Sequence, residues 1–216
     1  MKKNLTEIVF IIDESGSMYD LKKDTIGGFN SVLEEQRGKE GEVLVSTVLF
    51  NQHSRVLYDR VPLSKIENMG DTSYNPNGMT ALLDAIGGAI HHIGNVHKYA
   101  RNEDVPENTL FIITTDGLEN SSTKYSAEKV KKMISKQQKK HGWEFIFLGA
   151  NIDSVQTANT FGIDESRAVN YKADKRGTSV MYAAMCEAVS EVRAHRPLGN
   201  SNMGWRKKAD EDYNNR

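Results

Sequence analysis

Five successive apolar positions, Ile8-Val9-Phe10-Ile11-Ile12, run straight into the polar stretch Asp13-Glu14-Ser15-Gly16-Ser17. A short, wholly apolar run of β-branched and aromatic residues reads as a strand buried on both faces, here residues 7–13. The period then changes: Ile26, Phe29, Val32 and Leu33 recur at helical spacing and predict a helix from Asp24 to Gln36. Glu42 to Asn51 reads as a second strand and Arg55 to Val61 as a third. Only Gln52-His53-Ser54 lies between them, which predicts a hairpin and an antiparallel third strand. Ala81 to Tyr99 places Leu82, Ile86, Ala89, Ile93 and Val96 on one helical face. Beyond it, strands at 109–115, 143–149 and 167–171 alternate with helices at 126–140, 153–160 and 175–196. This alternation predicts an α/β fold: a doubly wound, mostly parallel sheet of about six strands, one antiparallel edge strand, and helices on both faces. Residues 1–196 form the expected domain. Residues 197–216 are poor in aliphatics and rich in Asn, Lys and Asp, and read as a mobile polar tail with Trp205 isolated in it, either packed back on the domain or disordered. Gly27-Gly28 and Gly87-Gly88 interrupt two helical patterns, at about 1 kcal/mol per glycine, and predict close packing of those helices on the sheet.

The chemistry concentrates where the first strand ends. Ligand sites of open α/β sheets lie beyond the carboxyl ends of the strands. There Asp13, Ser15 and Ser17 offer three oxygens within five residues, and Gly16 lets the loop turn. Hard cations such as Mg²⁺ take oxygen ligands. Taken alone, a Ser/Gly-rich loop after a strand is usually just a turn. Two distant segments change the picture: Asn77-Gly78-Met79-Thr80-Ala81-Leu82 sets a lone Thr before a helical pattern, and the apolar strand Asn108 to Thr115 ends in Asp116-Gly117.

Together these residues resemble the von Willebrand factor A (vWA) family, over roughly residues 6 to 196. That family's metal-ion-dependent adhesion site is Asp-x-Ser-x-Ser, then a separate Thr, then a separate Asp closing a later strand. The matching positions are Asp13, Ser15, Ser17, Thr80 and Asp116. The resemblance implies a Rossmann-like vWA fold and a Mg²⁺ site, with Mn²⁺ as the other candidate ion. It implies direct ligation by Ser15 and Ser17, a shell oriented by Asp13, and exchange of Thr80 and Asp116 between direct and water-mediated contact. Hydroxyl ligands are neutral and leave an ion much of its charge, so a partner protein that presents an Asp or Glu carboxylate is expected, and with no evident general base or nucleophile at the site no catalysis is expected. Nearby, Glu14 and Asp20 are expected to be solvated, while Glu119 and Asn120 either extend the rim or cap their loop.

The rest of the composition narrows the alternatives. A net charge of −1 gives no drive towards nucleic acid or an anionic membrane. Cys186 is the single cysteine and sits in the apolar run Met181 to Cys186, so it reads as a packed, inert thiol with no disulfide partner. No segment is long enough to span a bilayer, and the apolar run at 8–12 is too short for a secretory signal. A cytoplasmic setting is expected, as for an intracellular, bacterial-type single-domain member of the family it resembles. His91, His92 and His97 lack the spacing of a zinc-binding helix, and the basic run from Lys129 to Lys140 lacks interleaved aromatics; both read as solvated helix faces. Two other functions compete with protein binding. A Mg²⁺-dependent phosphohydrolase using Asp13 would need a second Asp where Ser15 stands, and a metal-independent scaffold would use the fold alone. A serine hydrolase is excluded, because Gly16 directly precedes Ser17 where the nucleophile elbow needs Gly-x-Ser-x-Gly.

Overall fold

The computed structural model describes residues 1–216. The strands are β1 (Lys2–Asp13), β2 (Glu42–Phe50), β3 (Ser54–Pro62), β4 (Pro106–Thr115), β5 (Glu144–Ala150) and β6 (Ala168–Tyr171). The helices are α1 (Lys22–Arg37), α2 (Leu82–Tyr99), α3 (Ala127–His141), α4 (Ser154–Thr160), α5 (Lys175–Arg193) and α6 (Lys207–Asn214). The strands form one six-stranded sheet in the order β3-β2-β1-β4-β5-β6. Every pairing is parallel except β2 with the edge strand β3. The doubly wound sheet with one antiparallel edge is therefore what this chain forms.

β1 lies at the centre and explains the unbroken apolar run. Ile8, Phe10 and Ile12 enter the core shared with α1 and α5, whereas Val9 and Ile11 enter the opposite core under α2 and α3. With both faces buried, no polar alternation is left to read. Phe10 meets Phe29 of α1 edge-on, with ring centroids 5.1 Å apart.

One glycine of each pair does the close packing, and its neighbour is not the sheet. A Cβ on Gly28 would stand 2.1 Å from the Tyr182 ring of α5, and one on Gly87 would stand 2.3 Å from the Tyr125 ring. Gly27 and Gly88 have open space. Helix propensity favours Gly28→Ala by about 1 kcal/mol. The overlap with a buried tyrosine outweighs it, and we expect a net loss of about 1–3 kcal/mol in chemical unfolding. Unchanged stability would mean that Tyr182 moves aside freely.

Two expectations are overturned. The segment 197–216 is not a mobile tail. Trp205 is 2% exposed and Ala209 is equally buried, both in the α1/α5 core. Arg206 pins the segment to the domain by donating to the Glu165 carbonyl at 2.7 Å, and Asp210 of the same segment braces its guanidinium at 2.7 and 2.9 Å. With Leu198, only three large or small apolar side chains anchor the segment, too few to show a helical period. His97 is not solvated either. Its Nε2 lies 2.5 Å from Oε2 of Glu7, a fully buried β1 carboxylate whose Oε1 accepts from Arg60 Nε at 2.7 Å. Arg60 takes a left-handed φ of 51° where the β2–β3 register slips, a bulge that re-aims its side chain towards Glu7.

Candidate metal centre

Asp13 ends β1, with Phe50 of β2 beside it in register. Its carboxylate is enclosed: Oδ1 accepts the Ser15 N–H at 2.7 Å and Oδ2 accepts the Thr115 hydroxyl at 2.6 Å. The Tyr74 hydroxyl donates to the Asp13 carbonyl from beneath. Burial pushes the Asp13 carboxyl up to about 6, against the opposing pull of the Ser15 and Thr115 hydrogen bonds. Burial also raises Asp116, opposed chiefly by its hydrogen bond from Ser17.

Three loops converge on these carboxylates. The 14–16 turn is stitched to the segment before Thr80, since Gly16 N–H donates to the Gly78 carbonyl at 3.1 Å and Asn77 N–H to the Glu14 carbonyl at 2.9 Å. Gly78 itself needs a left-handed φ of 76°, and a Cβ there would collide with Gln52. Glu14, expected in solvent, is 4% exposed. Arg55 of β3 grips it through two hydrogen bonds, at 2.6 and 3.0 Å, and Asn75 N–H adds a third. It ties three loops together and does not face the solvent. Asp20 is exposed as expected.

Thr80 is held through its backbone, which leaves its hydroxyl for a ligand. Its N–H donates to Asn120 Oδ1 at 2.8 Å, and its carbonyl accepts the Asn120 N–H at 3.0 Å. Glu119 caps the start of α2 by accepting the Leu83 N–H at 2.9 Å, and also accepts the Ser121 and Ser122 N–H groups. Loop capping is thus the observed role of both residues, and it fixes the Thr80 loop to the Asp116 loop.

The structure brings all five expected residues to one place at the carboxyl ends of β1 and β4. Ser15 Oγ and Ser17 Oγ are 3.1 Å apart, and Ser17 Oγ donates to Asp116 Oδ1. Neighbouring ligands of an octahedral Mg²⁺, bound at about 2.1 Å, stand about 3.0 Å apart. The serine pair fits that edge. The position of a Cβ on Gly117 would lie 3.7 Å from both Ser17 Oγ and Thr80 Oγ1, so the Asp116-Gly117 turn rests against both hydroxyls. Nowhere do three or more His, Cys, Asp or Glu side chains cluster as a metal site. The donors here are two carboxylates and three hydroxyls, an all-oxygen set suited to a hard cation. His91 pairs with Asn95 and His92 with Asp59, so they share no site with His97.

Sequence reasoning missed three supporting residues. Thr115 looked like one more strand position, yet it holds Asp13. Tyr74 lies in a segment with no regular pattern. Asn151 follows β5 with a φ of 56° and donates to the Asp116 carbonyl at 3.4 Å. A lone Asn after a strand, a residue type tolerant of left-handed backbone, was the available signal for the last.

The architecture recurs in solved structures at low sequence identity. Proximal thread matrix protein 1 from the mussel byssus superposes with a TM-score of 0.60 at 14% identity, over 86% of this chain and 46% of that one. A vWF type A structure from Catenulispora acidiphila gives 0.53 at 15% identity, over 84% of this chain and 41% of that one. The vWF domain of the type V pili tip protein Mfa5 from Porphyromonas gingivalis gives 0.59 at 13% identity, over 91% of this chain and 98% of that domain. The chain has the von Willebrand factor A fold. It spans less than half the length of the mussel protein and of the Catenulispora chain. A further structure of the mussel protein has a zinc-occupied adhesion-site motif, with a TM-score of 0.57 at 15% identity. No protein-family model matches the sequence, and no curated protein matches it. No helix of this vWA fold is long and apolar enough to cross a membrane.

Proposed function

We propose that this chain is a divalent-ion-dependent protein-binding module. Ser15, Ser17 and Thr80 supply hydroxyl ligands, and Asp13 and Asp116 orient them and balance charge. The observation that carries this reading is the serine pair, 3.1 Å apart and locked between two buried carboxylates where three loops meet. Mg²⁺ is the proposed ion, with Mn²⁺ able to replace it. When bound, such an ion provides an exchangeable position that an Asp or Glu side chain from a partner protein completes. A phosphohydrolase reading has less support: both oxygens of Asp13 are occupied by protein donors, and the residue has no exposed surface for in-line attack.

Loss of a buried interfacial charge contact costs on the order of 2–5 kcal/mol. Partner capture in Mg²⁺ buffer should therefore collapse when EDTA replaces the ion. Thr80→Ala should weaken partner binding more than it weakens Mg²⁺ binding, because the Thr80 backbone bonds survive the substitution. A partner retained equally in EDTA and by Thr80→Ala binds another surface, and this reading of the site then fails.

A further inference from the structure

Seven large apolar side chains are exposed, and three of them cluster by position: Tyr19 at 71%, Met79 at 55% and Leu118 at 67%. Each sits on a different segment of the centre: Tyr19 on the short 3-10 turn Gly16–Leu21, Met79 and Leu118 on loops. Tyr19 is two residues beyond Ser17, Met79 directly precedes Thr80, and Leu118 is two residues beyond Asp116. Successive Cα atoms are 3.8 Å apart, so each lies within about 8 Å of a ligand residue along the backbone. The Asp116-Gly117 turn rests against Ser17 and Thr80, which draws the three segments together. Single exposed apolar side chains are ordinary, but one on each of three segments around a shared site forms a rim. Tyr and Met are also enriched in the buried centres of interfaces. The exposed residues between them, Gly16, Ser17, Asn77, Gly78 and Asn120, carry no charge. The exposed charges stand at the edges of the rim: Asp20 next to Tyr19, Lys23 at the start of α1, and Arg55, which is committed to Glu14.

We infer that the partner segment presents a single Asp or Glu flanked on both sides by apolar side chains, and that Tyr19, Met79 and Leu118 receive those flanks. This inference rests on the metal-dependent carboxylate reading of the same site.

The test uses three capped pentapeptides in Mg²⁺ buffer: Gly-Leu-Glu-Leu-Gly, Gly-Ser-Glu-Ser-Gly and Gly-Leu-Gln-Leu-Gly. Each is titrated by NMR into the full chain and into the combined variant Tyr19→Ser, Met79→Ser, Leu118→Ser. All three side chains are solvent-exposed, so the variant should fold and bind Mg²⁺ like the parent, which a Mg²⁺ titration verifies. The leucine-flanked Glu peptide should bind at least about tenfold tighter than the serine-flanked one, and that preference should vanish in the variant. Equal binding of the two Glu peptides, or a preference that persists in the variant, overturns the apolar rim while leaving the carboxylate reading in place. Equal binding of the Gln and Glu peptides that is lost in the variant supports the rim and overturns the carboxylate reading. If no peptide binds, both fall.

Discussion

Asp13→Asn should abolish divalent-ion binding and yet make the metal-free protein more stable at neutral pH. The sign follows from burial. Asp13 is pushed up to about 6 in the folded chain, whereas an unfolded aspartate titrates near 3.9. Below about pH 4 the carboxyl is neutral in both states and carries no penalty. As the pH rises through the window from about 4 to 6, the unfolded chain ionises first, and folding stability falls until the buried group has ionised too. The accumulated loss is on the order of 3 kcal/mol above that window. Asparagine keeps an oxygen for the Ser15 N–H, and its amide can donate to Thr115 Oγ1, so the two enclosing contacts survive. Urea unfolding in EDTA should therefore show the variant ahead of the wild type at pH 7 and the two converging near pH 4. Asp116, also raised by burial, is present in both proteins, and the difference includes the relief of its repulsion by Asp13. Added Mg²⁺ should raise the wild-type midpoint and leave the variant unmoved. A variant less stable than wild type in EDTA at pH 7 would show that the carboxylate is better solvated than its surroundings indicate.

Glu7→Ala should be among the most damaging single changes in the chain, at about 3–5 kcal/mol. Glu7 has no exposure and holds Arg60 on one oxygen and His97 on the other. It fastens the edge strand β3 and the end of α2 to the central strand. Removing it leaves the largely buried Arg60 guanidinium with no counter-charge, and Arg cannot discharge itself by losing a proton. His97→Ala should be milder than Glu7→Ala, because it leaves Glu7 still paired with Arg60. Chemical unfolding of both variants checks the order. A Glu7→Ala loss below about 1 kcal/mol would mean that Arg60 swings out to water once its partner is gone.

Both predictions rest on features that the sequence did not display. The alternation of strands and helices and the five candidate ligand positions were legible because they lie at or beside the ends of patterned segments, where the family motif can be matched, and such boundaries are local. Enclosure is not local. Asp13 is sealed by Thr115 and Tyr74, which stand 102 and 61 residues away in sequence. Glu14 looked like a solvated neighbour because its partner, Arg55, arrives on β3. His97 lies on the same helix as two solvent-facing histidines and was read like them, and only the packing of α2 on β1 sets it against Glu7, 90 residues away. Trp205 and Ala209 are two apolar positions in a polar segment, and they order α6 because α5 supplies the surface that buries them. The early start of β1 was missed for a related reason, since Lys2 to Asn4 carry no apolar alternation.

The claim that these loops form a metal centre is tested most directly by calorimetric titration of Mg²⁺ into EDTA-stripped wild type and Asp13→Asn at pH 7.5. Saturable binding of one ion per wild-type chain, absent in the variant, is the predicted result. Wild-type protein that shows no saturable binding of Mg²⁺ or Mn²⁺, or an Asp13→Asn variant that binds as the wild type does, would contradict the account.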